Sequence, residues 1–177
     1  MKILALIGSP RKGGNTDVLV EQIRRGCRKS GHTTSKLYLY DYAIEPCTDC
    51  RSCKKGDYTC IVGDGMQELY PEIENADLII FGTPLYWYGP TGKMKLLLDR
   101  LRPYIASRKL EGKRAAVVTP SEEGPGSCQC LVETFRKSFD YLGMEFRGAF
   151  LAKAYEKGEI KEDTEELRRA YRFGIAL

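Results

Sequence analysis

Histidine is nearly absent from this chain: His32 is the only one in 177 residues. That argues against a His-rich metal site and against a Ser-His-Asp or Cys-His triad. No apolar run approaches the roughly 18 residues that a membrane helix needs, so no membrane span is expected. The N-terminus enters a short apolar run without a small-residue cleavage site, so no signal peptide is expected and the expected location is cytoplasmic. Linkers, repeats and low-complexity tracts are missing, so residues 1–177 are expected to form one domain. Strong charge is missing too. A net +4 does not argue for nucleic acid, though it suits a phosphate-bearing ligand. An enzyme built on such a chain would leave its chemistry to a bound cofactor.

Cysteine, by contrast, is plentiful. Four of the seven fall in a C-x2-C-x2-C-x6-C run, Cys47, Cys50, Cys53 and Cys60. In a reducing compartment such thiols are metal ligands or redox groups before they are structural disulfides, and an odd total weakens a disulfide framework. Thiolates at x2 steps are how ferredoxin-type loops wrap an iron–sulfur cluster. Zinc ribbons split their thiols into two separate pairs. A zinc knot, a redox-active disulfide and plain buried thiols are the alternatives. Cys128 and Cys130 stand at i,i+2 near a helix start and share no face, so they are not taken as ligands. Cys27 is expected to pack on the first helix.

Along the chain, apolar runs of strand length alternate with segments of helical periodicity. Strands are expected over 2–7, 33–40, 76–82, 114–119 and 145–154. Helices are expected from Thr16 to Gly31, 66–74, around Met94–Leu101, 128–142 and 162–171. Five strand–helix alternations predict an α/β fold with a parallel sheet covered on both faces. A cysteine-rich loop, 41–65, is inserted after the second strand. Ligands of such sheets bind beyond the carboxyl ends of the strands, which selects the loops 8–16, 83–90 and 120–127.

The first of these, Gly8-Ser-Pro-Arg-Lys-Gly-Gly-Asn-Thr16, is small and polar and opens a helix. Free backbone N–H groups and the helix dipole there favour a phosphate. Ser9, Asn15 and Thr16 add side-chain donors and Arg11 a charged fork, with Gly14 keeping the backbone close. A plain helix cap is the simpler alternative. The second loop carries Pro84, Leu85, Tyr86, Trp87, Tyr88 and Gly89, three consecutive aromatics at a strand end. Three adjacent rings cannot all face a core, which points to stacking against a planar group.

Three blocks together carry a resemblance that covers nearly the whole chain. They are Gly8-Ser-Pro-Arg-x-x-Gly-Asn-Thr16, Ala76-Asp-Leu-Ile-Ile-x-Gly-Thr-Pro-Leu-Tyr86 and Gly92-Lys-Met-Lys-x-x-x-Asp99-Arg100. The chain resembles the flavodoxin-like NAD(P)H-dependent FMN reductases and, with its cysteine run, their iron–sulfur flavoprotein branch. The resemblance implies a flavodoxin-like doubly wound five-stranded sheet in the order 2-1-3-4-5. It implies FMN, with Ser9, Arg11, Gly14, Asn15 and Thr16 at the phosphate and Pro84, Leu85, Tyr86, Trp87, Tyr88 and Gly89 flanking the ring. The loop after the fourth strand, with Thr119, Ser121 and Gly124, would border the ring's other side. It implies a [4Fe–4S] cluster on Cys47, Cys50, Cys53 and Cys60. The expected activity is electron transfer from reduced ferredoxin or NAD(P)H to a small-molecule or protein acceptor, in a homodimer or homotetramer. A cluster-free NAD(P)H-dependent FMN or quinone reductase and a flavodoxin-type carrier are the alternatives. Lys95 and Asp99, at i,i+4, are expected to form a structural ion pair.

Overall fold

A computed structural model describes residues 1–177. Five parallel strands form one sheet: β1 (Lys2–Ile7), β2 (Thr33–Tyr38), β3 (Leu78–Gly82), β4 (Arg114–Ser121) and β5 (Glu145–Lys153), in the order β2-β1-β3-β4-β5. The central strands are apolar without interruption because both faces are covered. In β1, Leu4 and Leu6 enter one core while Ile3, Ala5 and Ile7 enter the other.

The helices divide accordingly. On the Ile3 face lie α1 (Asn15–Lys29) and α6 (Thr164–Ala176), contributing Leu19, Val20, Ile23, Cys27 and Ala170. On the Leu4 face lie α2 (Met66–Asn75), α3 (Gly92–Asp99), the short α4 (Pro103–Ser107) and α5 (Gln129–Leu142), contributing Leu69, Ile73, Leu97, Tyr104, Phe135 and Phe139. α1 and α6 cross at glycines. A Cβ on Gly26 would collide with the carbonyl of Tyr171, and one on Gly174 with the carbonyl of Ile23. Cys27 is buried in this layer, and burial pushes its thiol up to about 11.

The structure differs from the expected elements in a few places. β4 runs two residues further, so Pro120 and Ser121 pair with Ala152 and Lys153 of β5. Proline is tolerated there because β3 has already ended at Gly82. α6 begins at Thr164, where Asp163 accepts the N–H groups of Glu165 and Glu166 as N-cap. α4 was not anticipated. Its proline sits in the first turn, where a missing N–H costs nothing. Lys95 and Asp99 do form an ion pair, at 2.6 Å, on the exposed side of α3.

Candidate functional site

The carboxyl ends of β1, β3, β4 and β5 all open on one side of the sheet, and an open cleft lies there. Its walls include Ser9, Arg11, Gly14, Asn15, Thr16, Pro84, Leu85, Tyr86 and Ser121. These nine positions, expected from the sequence, come together from three loops.

The loop between β1 and α1 is braced from below. Asp17 accepts hydrogen bonds from the Gly13 N–H (2.7 Å), Lys36 Nζ (2.7 Å) and the Tyr38 hydroxyl (2.9 Å). Burial pushes the Asp17 carboxyl up, but these donors outweigh it and hold the group below the usual carboxylate range. Above this brace, Gly14 is the N-cap of α1 and offers no side-chain cap, and the N–H groups of Asn15 and Thr16 have no acceptor in the chain. Unsatisfied donors at a helix N-terminus are an anion site in waiting. Arg11 stands exposed beside them. Asn15 itself is turned aside: its Nδ2 donates to Glu156 O (2.8 Å) and its Oδ1 accepts from the Ile160 N–H (3.3 Å). Its backbone, more than its amide, is what it offers the cleft.

The aromatic loop closes on itself. Tyr86 N–H donates to Gly89 O (2.9 Å) and Gly89 N–H to Tyr86 O (3.0 Å), leaving Trp87 (φ 49°) and Tyr88 (φ 60°) as the two central residues of a tight turn. Positive φ at both positions is the signature of a type I′ turn, which normally selects Asn and Gly. Here bulky aromatics hold it against a left-handed penalty of about 1–2 kcal/mol per residue. Trp87 is 98% exposed. Tyr86 lines the cleft, while Trp87 and Tyr88 are exposed and Gly89 is half-buried at the next positions of the turn.

Two other expected positions also lie off the wall. Thr119 is fully buried inside β4 with its hydroxyl unpartnered. Gly124 is buried, and its carbonyl accepts the hydroxyls of Ser121 and Ser127, both at 2.8 Å. Gly124 therefore fixes the loop that Ser121 presents. Cys128 packs behind it, 3.5 Å from Ser121 Oγ.

Sequence reasoning missed Thr91. Its hydroxyl donates to Gly8 O (2.6 Å) and accepts the Met94 N–H, capping α3 and locking it to the end of β1. A threonine just before a helical run was the available signal. Also missed were Ala154, Tyr155 and Lys157, which line the cleft from the loop after β5. In a parallel sheet this loop opens on the same side as the others.

The cysteine loop forms a second concavity. Cys47, Cys50, Cys53 and Cys60 line one small pocket, whose other walls include Arg51, Arg100, Arg102 and Asp99. Burial raises the Cys53 thiol, and the neighbouring Cys60 and Cys47 add to the rise while Arg102 opposes it. The Ser52 N–H and hydroxyl lower exposed Cys50. No three of these groups close around a single ion.

The two ends of the loop are held by one ion pair. Arg100 and Asp64 meet at 2.5 Å with side chains only 1% and 5% exposed. Arg100 also donates to Glu45 O (2.8 Å) and Val62 O (3.4 Å), and Asp64 accepts the Glu45 (2.7 Å) and Met66 (3.0 Å) N–H groups. Burial raises the Asp64 carboxyl, but Arg100 and these N–H groups bring it below the usual range.

Comparisons with known proteins agree with this geometry. The family model described as NADPH-dependent FMN reductase matches residues 1–158. YwqN of Bacillus subtilis, named as an NAD(P)H-dependent FMN-containing oxidoreductase, is 31% identical over 97% of this chain and 96% of its own. An iron–sulfur flavoprotein of Methanocaldococcus jannaschii is 30% identical over 78% of this chain and 72% of its own. Among solved structures, the Trp repressor binding protein of Bacillus subtilis superposes with a TM-score of 0.73 at 27% identity, covering 97% of this chain and 96% of that one. On the family match, with the sheet order and the cleft that accompany it, the chain belongs to the NADPH-dependent FMN reductase family and is an FMN-dependent oxidoreductase.

Proposed function

We propose that this protein is an electron-transfer flavoprotein that binds FMN in the cleft and a [4Fe–4S] cluster in the cysteine pocket, passing electrons from reduced ferredoxin or NAD(P)H to a small-molecule or protein acceptor. When bound, FMN supplies two-electron acceptance with single-electron release, and the cluster supplies one-electron transfer. The observation that carries the reading is the convergence of four cysteines from one short segment on a single arginine-walled pocket. The donor set is all thiol, the ligand type of ferredoxin-like [4Fe–4S] loops. Arg102 favours the charged form of the Cys53 thiol there.

In the cleft, Arg11 and the free N–H groups of Asn15 and Thr16 hold the flavin phosphate. Pro84, Leu85 and Tyr86 give the ring an apolar wall, and Ser121 borders it from β4. No side-chain acid or base is assigned, in keeping with a chain that has one histidine, half-buried and outside the cleft. The assembly we infer is a homodimer or homotetramer, with the exposed Trp87 turn as a surface open to contact. A cysteine-rich chain with no paired disulfide suits a reducing compartment such as the cytoplasm.

The test is iron, acid-labile sulfide and flavin content after purification without air. About four iron and four sulfide per chain with one FMN is the expected result. FMN with neither iron nor sulfide, even after reconstitution, would leave a cluster-free FMN or quinone reductase or a flavodoxin-type carrier. Stopped-flow reduction by ferredoxin and by NAD(P)H then identifies the donor, and a flavin that neither reduces refutes the shuttle.

A further inference from the structure

The loop after β5 is built into the phosphate end of the cleft. Asn15 grips it twice, through Glu156 O and the Ile160 N–H. Ile160 is buried beneath it, and Glu159 accepts the Glu156 N–H at 2.6 Å. Gly158 adopts φ +80°, and a Cβ there would stand 3.5 Å from Gly13 O, so the loop lies directly against the β1–α1 loop. These contacts fix the backbone on both sides of Lys157, whose side chain lines the cleft together with Arg11. Neither cation has a carboxylate partner: among the ion pairs of the chain, Lys157 and Arg11 take part in none. The one carboxylate lining the cleft, Glu122, comes from the end of β4 and is paired with neither. Two unneutralised cations from opposite loops therefore face one helix N-terminus whose N–H groups are free.

We propose that Lys157 is a second cation for the flavin phosphate and that, with Arg11, it makes the cleft select a phosphate monoester over the same ring system without its phosphate. This rests on the FMN reading given above. A phosphate monoester carries about −1.5 to −2 at neutral pH. One guanidinium leaves part of that charge unmatched, and a second cation matches it. Arg11 provides a planar fork, while Lys157 acts as a point charge on a flexible stem. Asn15 is the positioning residue. Its amide holds the Lys157 loop and its backbone N–H faces the phosphate, so one residue couples the two halves of the site.

The experiment titrates the flavin-free protein with FMN and, separately, with riboflavin, following flavin fluorescence. The proteins are the wild type, Lys157→Met, Lys157→Arg and the control Lys137→Met on the far surface of α5. Lys157→Met should weaken FMN about tenfold, the value of one charge-assisted hydrogen bond. It should leave riboflavin within about twofold, which also shows that the cleft is intact. Lys157→Arg should restore most of the FMN affinity, and the gap between the two ligands should shrink with added salt. Equal weakening of both ligands, or no change in either, overturns the assignment. In those cases wild-type affinity for FMN still supports the cofactor reading. A wild-type protein that binds FMN no better than riboflavin overturns both.

Discussion

The Asp64–Arg100 pair gives the sharpest test of how the cysteine loop is held. Asp64→Ala leaves the Arg100 guanidinium, 1% exposed, without its counter-charge. It also leaves the Glu45 and Met66 N–H groups without their acceptor. Removing one partner of a buried pair costs about 3–5 kcal/mol. For a chain of this size that is a fall in Tm on the order of 10 °C. Asp64→Asn keeps an acceptor but not the charge, and should cost about 1.5–3 kcal/mol, the worth of a hydrogen bond to a charged group. The pH dependence has a definite sign. The folded pKa lies below the usual value of 3.8. The pair's contribution is therefore complete above that value and is lost as pH falls through the folded pKa. Urea denaturation of the wild type and Asp64→Asn should show a constant gap from pH 5 to 7, about 1.5–3 kcal/mol, and a narrowing gap below pH 4. Because Arg100 also holds Glu45 O and Val62 O, protease cleavage within 45–64 should accelerate in both variants. A loss below about 1 kcal/mol for Asp64→Ala would refute the reasoning, since it would mean that water reaches Arg100.

Three further outcomes follow from other parts of the molecule. Replacing Trp87-Tyr88 by Asn-Gly should raise the stability of the flavin-free protein by about 1–2 kcal/mol by relieving left-handed strain, seen as a higher urea midpoint at unchanged slope. An unchanged midpoint would mean that the turn carries no strain. Gly26→Ala or Gly174→Ala should destabilise by at least about 1–3 kcal/mol, since each methyl meets backbone and cannot rotate away. Thermal melting measures this, and a neutral Gly174→Ala would show that α1 and α6 can separate at little cost. In metal-free protein, a disulfide-exchange reagent should label exposed Cys50 and Cys130 quickly and buried Cys27, whose thiol lies near 11, only after unfolding. Mass spectrometry of the labelled peptides decides it.

Much of this molecule could be read before it was folded. The apolar run of β1 and the glycine-rich segment after it have meaning at short range. A strand that ends in small residues and restarts as a helix leaves free N–H groups wherever it sits. The same holds for Pro84-Leu85-Tyr86 after β3, whose place at a strand end follows from local pattern alone. The cysteine spacing likewise marked four residues that line one pocket. What failed did so for lack of neighbours. Pro120 reads as a loop residue until β5 is found beside it. Trp87 and Tyr88 read as two more loop aromatics until the paired hydrogen bonds between Tyr86 and Gly89 make them the centre of a tight turn.

The sequence by itself determined the parallel α/β architecture, the glycine-rich loop between β1 and α1 and the spacing of the four thiols, because strand and helix periods, glycine placement and cysteine spacing are local properties. Only the tertiary structure decided which distant residues share a site. It brought Lys157 against a loop more than 140 positions earlier, and Arg100 between the ends of the cysteine loop. Such partnerships depend on how the strands are ordered and where their carboxyl ends converge, which no window of sequence contains.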